Sequence, residues 1–188
     1  MKQSLQEINK IAAEETSLAL KKLFKQNVEL KIPMAKVSKV EKLKPIVDPE
    51  EMTVGIYLPI SGDAKGAALL IIPREAAFTL SEILLEKNPG STRKLTRLDK
   101  AALKEVGNII CGQYFTVFSN MLGVKLIEHI PNLSYSMFGS IISDIIARFS
   151  RISDEALVIE LNIIFKPKVI KIYFLLLFEP IKITRLLK

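Results

Sequence analysis

The chain has 188 residues, 49% of them apolar and 25% charged. This is enough for one folded domain and excludes a disordered chain. The longest apolar runs, such as YFLLLF at 173–178, fall far short of the ~20 residues of a membrane-spanning helix, and the opening MKQSLQEINK lacks a signal peptide's apolar stretch. The net charge of +7 is spread over scattered lysines and arginines, and aromatics make up only 7%. That leaves no nucleic-acid footprint, so a cytoplasmic protein without membrane insertion is expected.

In chain order, QSLQEINKIAAEETSLALKKLFKQ predicts a long amphipathic helix with Leu5, Ile8, Ala12, Ala19 and Leu23 on one side. VELKIP then reads as a strand, dense in branched residues. MTVGIYLPI and GAALLIIP flank the turn SGDAKG and predict an antiparallel hairpin. The helical REAAFTLSEILLEK follows, and NPGSTRK at 88–94 is rich in turn formers. A second long helix begins at KAALKEVGNIICGQYF, with Leu103, Val106, Ile110, Val117 and Met121 on its apolar side, and leads into the strand-like VKLIEHIP. In NLSYSMFGSIISDIIARFSRISDE, residues Ile141, Ile142, Ile145, Ile146 and Phe149 predict one face of an extra helix. ALVIELNIIF and VIKIYFLLLFEP, joined by KPK, close the chain as strands before IKITRLLK.

The two long helices head similar segments. One offset of 98 carries Glu7 onto Glu105, Lys10 onto Asn108 and Pro33 onto Pro131, and LLIIP and LLFEP hold equivalent places near the end of each copy. The expected fold is therefore α+β: a single domain over 1–188 with pseudo-two-fold internal repeats at approximately 1–87 and 98–188, joined by 88–97. The halves should share one antiparallel sheet core, since neither hairpin alone would be stable.

Conventional catalytic sets are missing. Cys111 and His129 are each the only residue of their kind, which removes disulfides, thiolate metal sites and a ready nucleophile–histidine pair. Cys111 reads as a small packing residue and His129 as structural or surface. No phosphate-cradling glycine loop occurs. What remains is KEVGNIICGQ: at 100° per residue, Ala101, Glu105, Asn108 and Gly112 lie within roughly 60° of one another, opposite the apolar side. Asn and Gly are both poor helix-interior residues, and each Gly costs about 1 kcal/mol against Ala. A helix accepting that cost is expected to make room for another molecule, although Gly112 is also compatible with close packing inside the protein.

Glu105, Asn108 and Pro131 reproduce the E-x2-N-x22-P pattern of the CheC/CheX/FliY chemotaxis phosphatases, and the chain is identified as resembling that family, nearest its CheC branch. The resemblance rests on KEVGNIICG, PISGDAKGAALLII, the tandem arrangement and the length. It implies hydrolysis of the aspartyl phosphate of the response regulator CheY, in chemotaxis signalling. Asn108 would align a water, Glu105 would pair with the regulator's active-site lysine, and the small Ala101 and Gly112 would allow close approach. It implies no cofactor or metal of the chain's own, the regulator supplying Mg2+. The family has Asp or Ser four residues before the Glu where this chain has Ala101, which implies modest activity.

In the amino-terminal copy the corresponding face carries Gln3, Glu7, Lys10 and Glu14. Lys10 lacks the amide's acceptor, and Glu14 is expected to fill the space a partner needs, so this copy reads as a degenerate site. Two alternatives stay open. One is a non-catalytic adaptor for the deamidase CheD or for phospho-CheY, with the helix at 138–149 as the CheD surface unless its isoleucines are core. The other is a flagellar-switch-like CheY-binding domain.

Overall fold

The computed structural model describes residues 5–43, 46–149 and 155–178. Helix α1 (Leu5–Phe24) leads into strand β1 (Glu29–Lys39) and a short 3-10 turn at Val40–Lys42. The hairpin β2 (Met52–Gly62) and β3 (Gly66–Pro73) follows, then α2 (Arg74–Leu84) and the 26-residue α3 (Arg97–Leu122). The chain continues through β4 (Leu126–Glu128), β5 (Asn132–Met137), α4 (Phe138–Phe149), β6 (Glu155–Phe165) and β7 (Lys168–Phe178). The segment IKITRLLK and Gln3 lie outside the described residues.

The described strands form one seven-stranded antiparallel sheet in the order β1-β6-β7-β3-β2-β4, with β5 also paired to β2. The hairpin forms in the expected place, from Thr53 opposite Pro73 to Ile60 opposite Gly66. Read from either edge the order has the same form: a strand following a long helix, then the two strands of a hairpin. Each leading strand lies against the hairpin of the other half, β1 on β6 and β4 and β5 on β2. The sheet core is thus closed only when both halves are present.

The offset of 98 extends beyond the helices. The register of β1 shifts between Lys31 and Met34, around Pro33, which has no N–H to give the ladder. The same offset carries that irregularity onto the gap between β4 and β5 at 129–131, which contains Pro131. Strand β5 was not anticipated from the sequence, although Leu133, Tyr135 and Met137 alternate with polar residues there; it pairs with β2 through Leu133 opposite Ile56 and Tyr135 opposite Val54.

Central strands are buried on both faces, and each face has its own helical cover. Helices α1, α2 and α3 pack on one face, where Ile8, Phe78, Val106, Ile110 and Phe118 meet Ile56, Leu70, Ile159 and Phe174. On the other face α4 and the segment around Val40 and Leu43 pack on Ala67, Leu69, Val158 and Leu175. Ile141, Ile142, Ile145 and Phe149 are buried there, with Ile146 partly so, which settles that the isoleucine face of the extra helix is core and not a docking surface. In α1 the buried line is Ile8, Asn9, Ala12, Thr16, Leu20 and Phe24. Leu5, Ala19 and Leu23, expected inside, are only half-buried, the buried line running instead through Asn9, Thr16 and Leu20.

Helices α1 and α3 are joined by a buried hydrogen bond from the Tyr114 hydroxyl to the Asn9 side-chain oxygen. Burial pushes the Tyr114 phenol pKa up and keeps it a donor. The start of α3 is set by two acids in the connection between the halves. The Glu82 carboxylate on α2 accepts from the backbone N–H groups of Gly90 at 2.8 Å and Thr92 at 2.7 Å. Asp99 forms a capping box with Thr96 and an ion pair with Lys87.

Burial alone would raise the Asp99 pKa, but hydrogen bonds from Lys87 and Thr96 hold it at about 2 against an ordinary 3.8. A carboxyl with a depressed folded-state pKa adds stability that is complete above its unfolded value and drains away as pH falls through the folded one. Asp99→Asn is therefore expected to cost about 1–3 kcal/mol at neutral pH and to flatten the fall of Tm between roughly pH 4 and pH 2. Thermal melts of both proteins across that range check this; an identical acid slope would contradict it.

Candidate functional site

Helix α3 runs between a capping box at Thr96 and Gly123, which adopts the left-handed conformation at φ 67° that ends many helices. Its buried side includes Leu103, Val106, Gly107, Ile110, Tyr114, Val117 and Phe118, close to the apolar side expected, with Met121 partly buried. The opposite side turns Ala101 and Glu105 fully outward and leaves Asn108 and Gly112 half-buried. Glu105 and Asn108 are one turn apart, so their Cβ atoms stand about 5–6 Å from each other. Among the described residues neither side chain has a hydrogen-bond or ion-pair partner. A carboxylate and a carboxamide thus project together from a rigid helix, both available to another molecule.

The two glycines of this stretch have different roles, and only one bears on the outer face. Gly107 is buried against the sheet: a Cβ there would lie 3.0 Å from Ile56 Cδ1 and 3.1 Å from its Cγ2. Its helix-propensity cost is met by close packing inside the protein and leaves nothing to explain by a partner. Gly112 faces Glu128 of β4, whose Oε1 would be 3.2 Å from an added Cβ. The patch expected to be uncluttered is therefore open at Ala101 and Glu105 but overlain by a carboxylate at Gly112, because β4 folds back alongside α3. Sequence reasoning missed Glu128; its position just after the predicted helix was the available signal. Partial desolvation raises the Glu128 pKa. Cys111 is fully buried on the same turn, its thiol pKa raised by burial and then by Glu128, as suits a packing residue.

His129 is at the surface, its Nε2 2.8 Å from Ser61 Oγ. The described residues include no group of three or more His, Cys, Asp or Glu side chains placed to hold a metal, and no helix long and apolar enough to cross a membrane. In α1, Lys10 and Glu14 are exposed and Glu7 lies on the same side. With Lys10 and Ser17, Glu14 lines a broad groove between α1 and β1. Gln6 and Asn9 also line this groove, but Asn9 is buried and accepts from Tyr114, and at the position that the offset of 98 pairs with Asn108 the chain has Lys10.

Residues 98–129, which hold Glu105, Asn108 and Glu128, match a family model described as the CheC-like family. Over 162 residues the chain is 26% identical to "CheY-P phosphatase CheC" of Bacillus subtilis (strain 168), covering 85% of this chain and 78% of that protein. Among solved structures, Thermotoga maritima FliY superposes with a TM-score of 0.77 at 15% identity, over 99% of this chain and 96% of that one. The CheX–CheY–BeF3–Mg2+ complex from Borrelia burgdorferi gives 0.57 at 17% identity, over 90% and 96%. The H. pylori FliM middle domain gives 0.66 at 14% identity, over 98% of each. At these identities the structural likenesses establish a shared fold.

The distinct settings of the two glycines predict opposite responses. Gly107→Val should overpack Ile56 and destabilise by about 1–3 kcal/mol. Gly112→Ala displaces only the exposed Glu128 side chain and should be neutral or stabilise by up to about 1 kcal/mol through helix propensity. Denaturant unfolding distinguishes the two, and comparable losses in both variants would contradict these roles.

Proposed function

We propose that this CheC-like protein hydrolyses the aspartyl phosphate of a CheY-type response regulator, using the outward side of α3. The single observation that carries the reading is the Glu105–Asn108 pair, one turn apart and free of partners among the described residues. The resemblance to the phosphatase CheC along most of the chain supports it, as does a fold shared with a CheX that is known in complex with CheY.

The chemistry asks little of the protein. A carboxyl phosphate has a good leaving group, so hydrolysis is accelerated chiefly by an aligned water and a fixed geometry. The Asn108 carboxamide can accept from and donate to that water at once, and its partial burial limits its rotamers. Glu105, exposed on the same side, is placed to form a charge-assisted hydrogen bond with a lysine of the regulator and so fix the register of docking. Mg2+ belongs to the regulator in this scheme, and the chain contributes no metal, nucleophile or covalent intermediate. Ala101 leaves the helix open one turn before Glu105 but supplies no supporting hydrogen bond, consistent with modest turnover.

A second reading, a switch-like domain that binds the regulator without turnover, is supported by the fold shared with the FliM middle domain over nearly the full length of both chains. A CheD-binding role would have to use surfaces other than Ile141, Ile142 and Ile145, which are buried.

Phosphate release from Mg2+-loaded phospho-regulator separates these readings. The protein should accelerate release, and Asn108→Ala should reduce that acceleration on the order of 100-fold while changing stability by no more than about 0.5 kcal/mol. Glu105→Gln should raise KM more than it changes Tm. No acceleration by the wild-type protein, or full activity in Asn108→Ala, would overturn the proposal.

A further inference from the structure

The first turns of α3 carry a feature that the Glu105–Asn108 pair does not use. A shallow hollow on the outer side of the helix is lined by Ala101 and by Leu133 of β5, and is edged by Arg97, Lys100 and Lys104. Arg97 and Lys100 are exposed and Lys104 is half-buried. Among the described residues none of the three has an ion-pair partner. The acid best placed in sequence to neutralise them, Asp99, is buried and turned to Lys87.

Three cations spaced three and four residues apart on one helix repel one another. Arg97 and Lys100 also lie in the opening turn of α3, where the macrodipole is already positive. Local stability does not account for such an arrangement. On the helical wheel Arg97, Ala101, Lys104 and Asn108 fall in one stripe, so the positive field leads along the helix to the carboxamide.

We infer that Arg97, Lys100 and Lys104 form a cationic docking edge that steers and orients the anionic active-site surface of a phosphorylated receiver domain onto Asn108. The occupant is argued from charge: an aspartyl phosphate brings up to two negative charges, only part of which the regulator's Mg2+ and lysine offset at close range, and an anionic surface is complementary to a cationic stripe without ion-pair partners. This inference rests on the function proposed above, and it adds the residues that govern encounter to those that govern hydrolysis.

The test measures association of the full chain with a Mg2+- and beryllofluoride-loaded regulator by stopped flow, beside phosphate release from the phosphorylated regulator, at ~0.02 M and ~0.5 M ionic strength. At low salt the double variant Arg97→Glu/Lys104→Glu should associate about tenfold or more slowly than wild type. The difference should shrink severalfold at high salt, where the Debye length falls to a few ångströms. The charge-conserving Arg97→Lys/Lys104→Arg should retain most of the wild-type rate and salt dependence, a rescue that a packing role would not give. Equal association rates for wild type and the charge-reversed variant, or a loss of the same size at both salt concentrations, would overturn the docking edge. Salt-sensitive association without any phosphate release would instead sink the hydrolytic reading and leave the docking edge standing.

Discussion

Everything in the candidate site depends on how closely α3 lies on the sheet. At Gly107 the helix backbone approaches Ile56 so closely that even a methyl group would crowd it. On the same buried side Tyr114 donates to Asn9 of α1 and stacks edge-on against Phe174 of β7, at 5.1 Å between ring centroids. These contacts fix the rotation of α3 about its axis. With the rotation fixed, Glu105 must point outward and Asn108 must sit at the boundary. Under the proposed function the Asn108 amide needs a rigid support because water alignment tolerates little error, and a helix clamped at Gly107 and Tyr114 provides it.

The connection between the halves serves the same end along the helix axis. Glu82 and Asp99 are both buried acids, and each satisfies backbone donors that the turn and the helix start would otherwise leave unpaired. Against the opposing effect of burial, both carboxyls are held below their ordinary pKa, Glu82 chiefly by its backbone bonds and Asp99 chiefly by the hydrogen bonds from the Lys87 and Thr96 side chains. With Asp99 engaged by Lys87, and Glu105 making no ion pair with its neighbour Lys104, the charges of Arg97, Lys100 and Lys104 have no ion-pair partner among the described residues. Internal pairing in the linker and an unneutralised outer edge are thus two aspects of one arrangement.

Much of the fold was legible because its signals are local. The three- and four-residue spacing in both helices and the turn between β2 and β3 lie within short stretches of sequence. What was misread depends on contacts between distant segments. Strand β5 was overlooked because the isoleucines of α4 dominated the segment, although the alternation of Leu133, Tyr135 and Met137 was present. Gly107 could not be told from Gly112 without knowing that Ile56 lies under one and Glu128 beside the other. The Glu105–Asn108 pair was visible as a pattern on a wheel, whereas the groove beside Lys10 and Glu14 required the position of β1. In α1 the direction of burial was misjudged by part of a turn, since Asn9 and Thr16 are polar and yet buried.

The two long helices therefore share a scaffold and differ in what they present: an acid and an amide on α3, a lysine and acids on α1. Under the proposed function only the former receives the regulator. Amide chemical-shift mapping of the isotopically labelled protein, titrated with Mg2+- and beryllofluoride-loaded regulator, distinguishes the two helices. The largest perturbations should fall on the outer side of α3, from Arg97 to Gly112, with α1 little changed. Perturbations centred on the groove beside Lys10 and Glu14, with residues 97–112 unaffected, would contradict it.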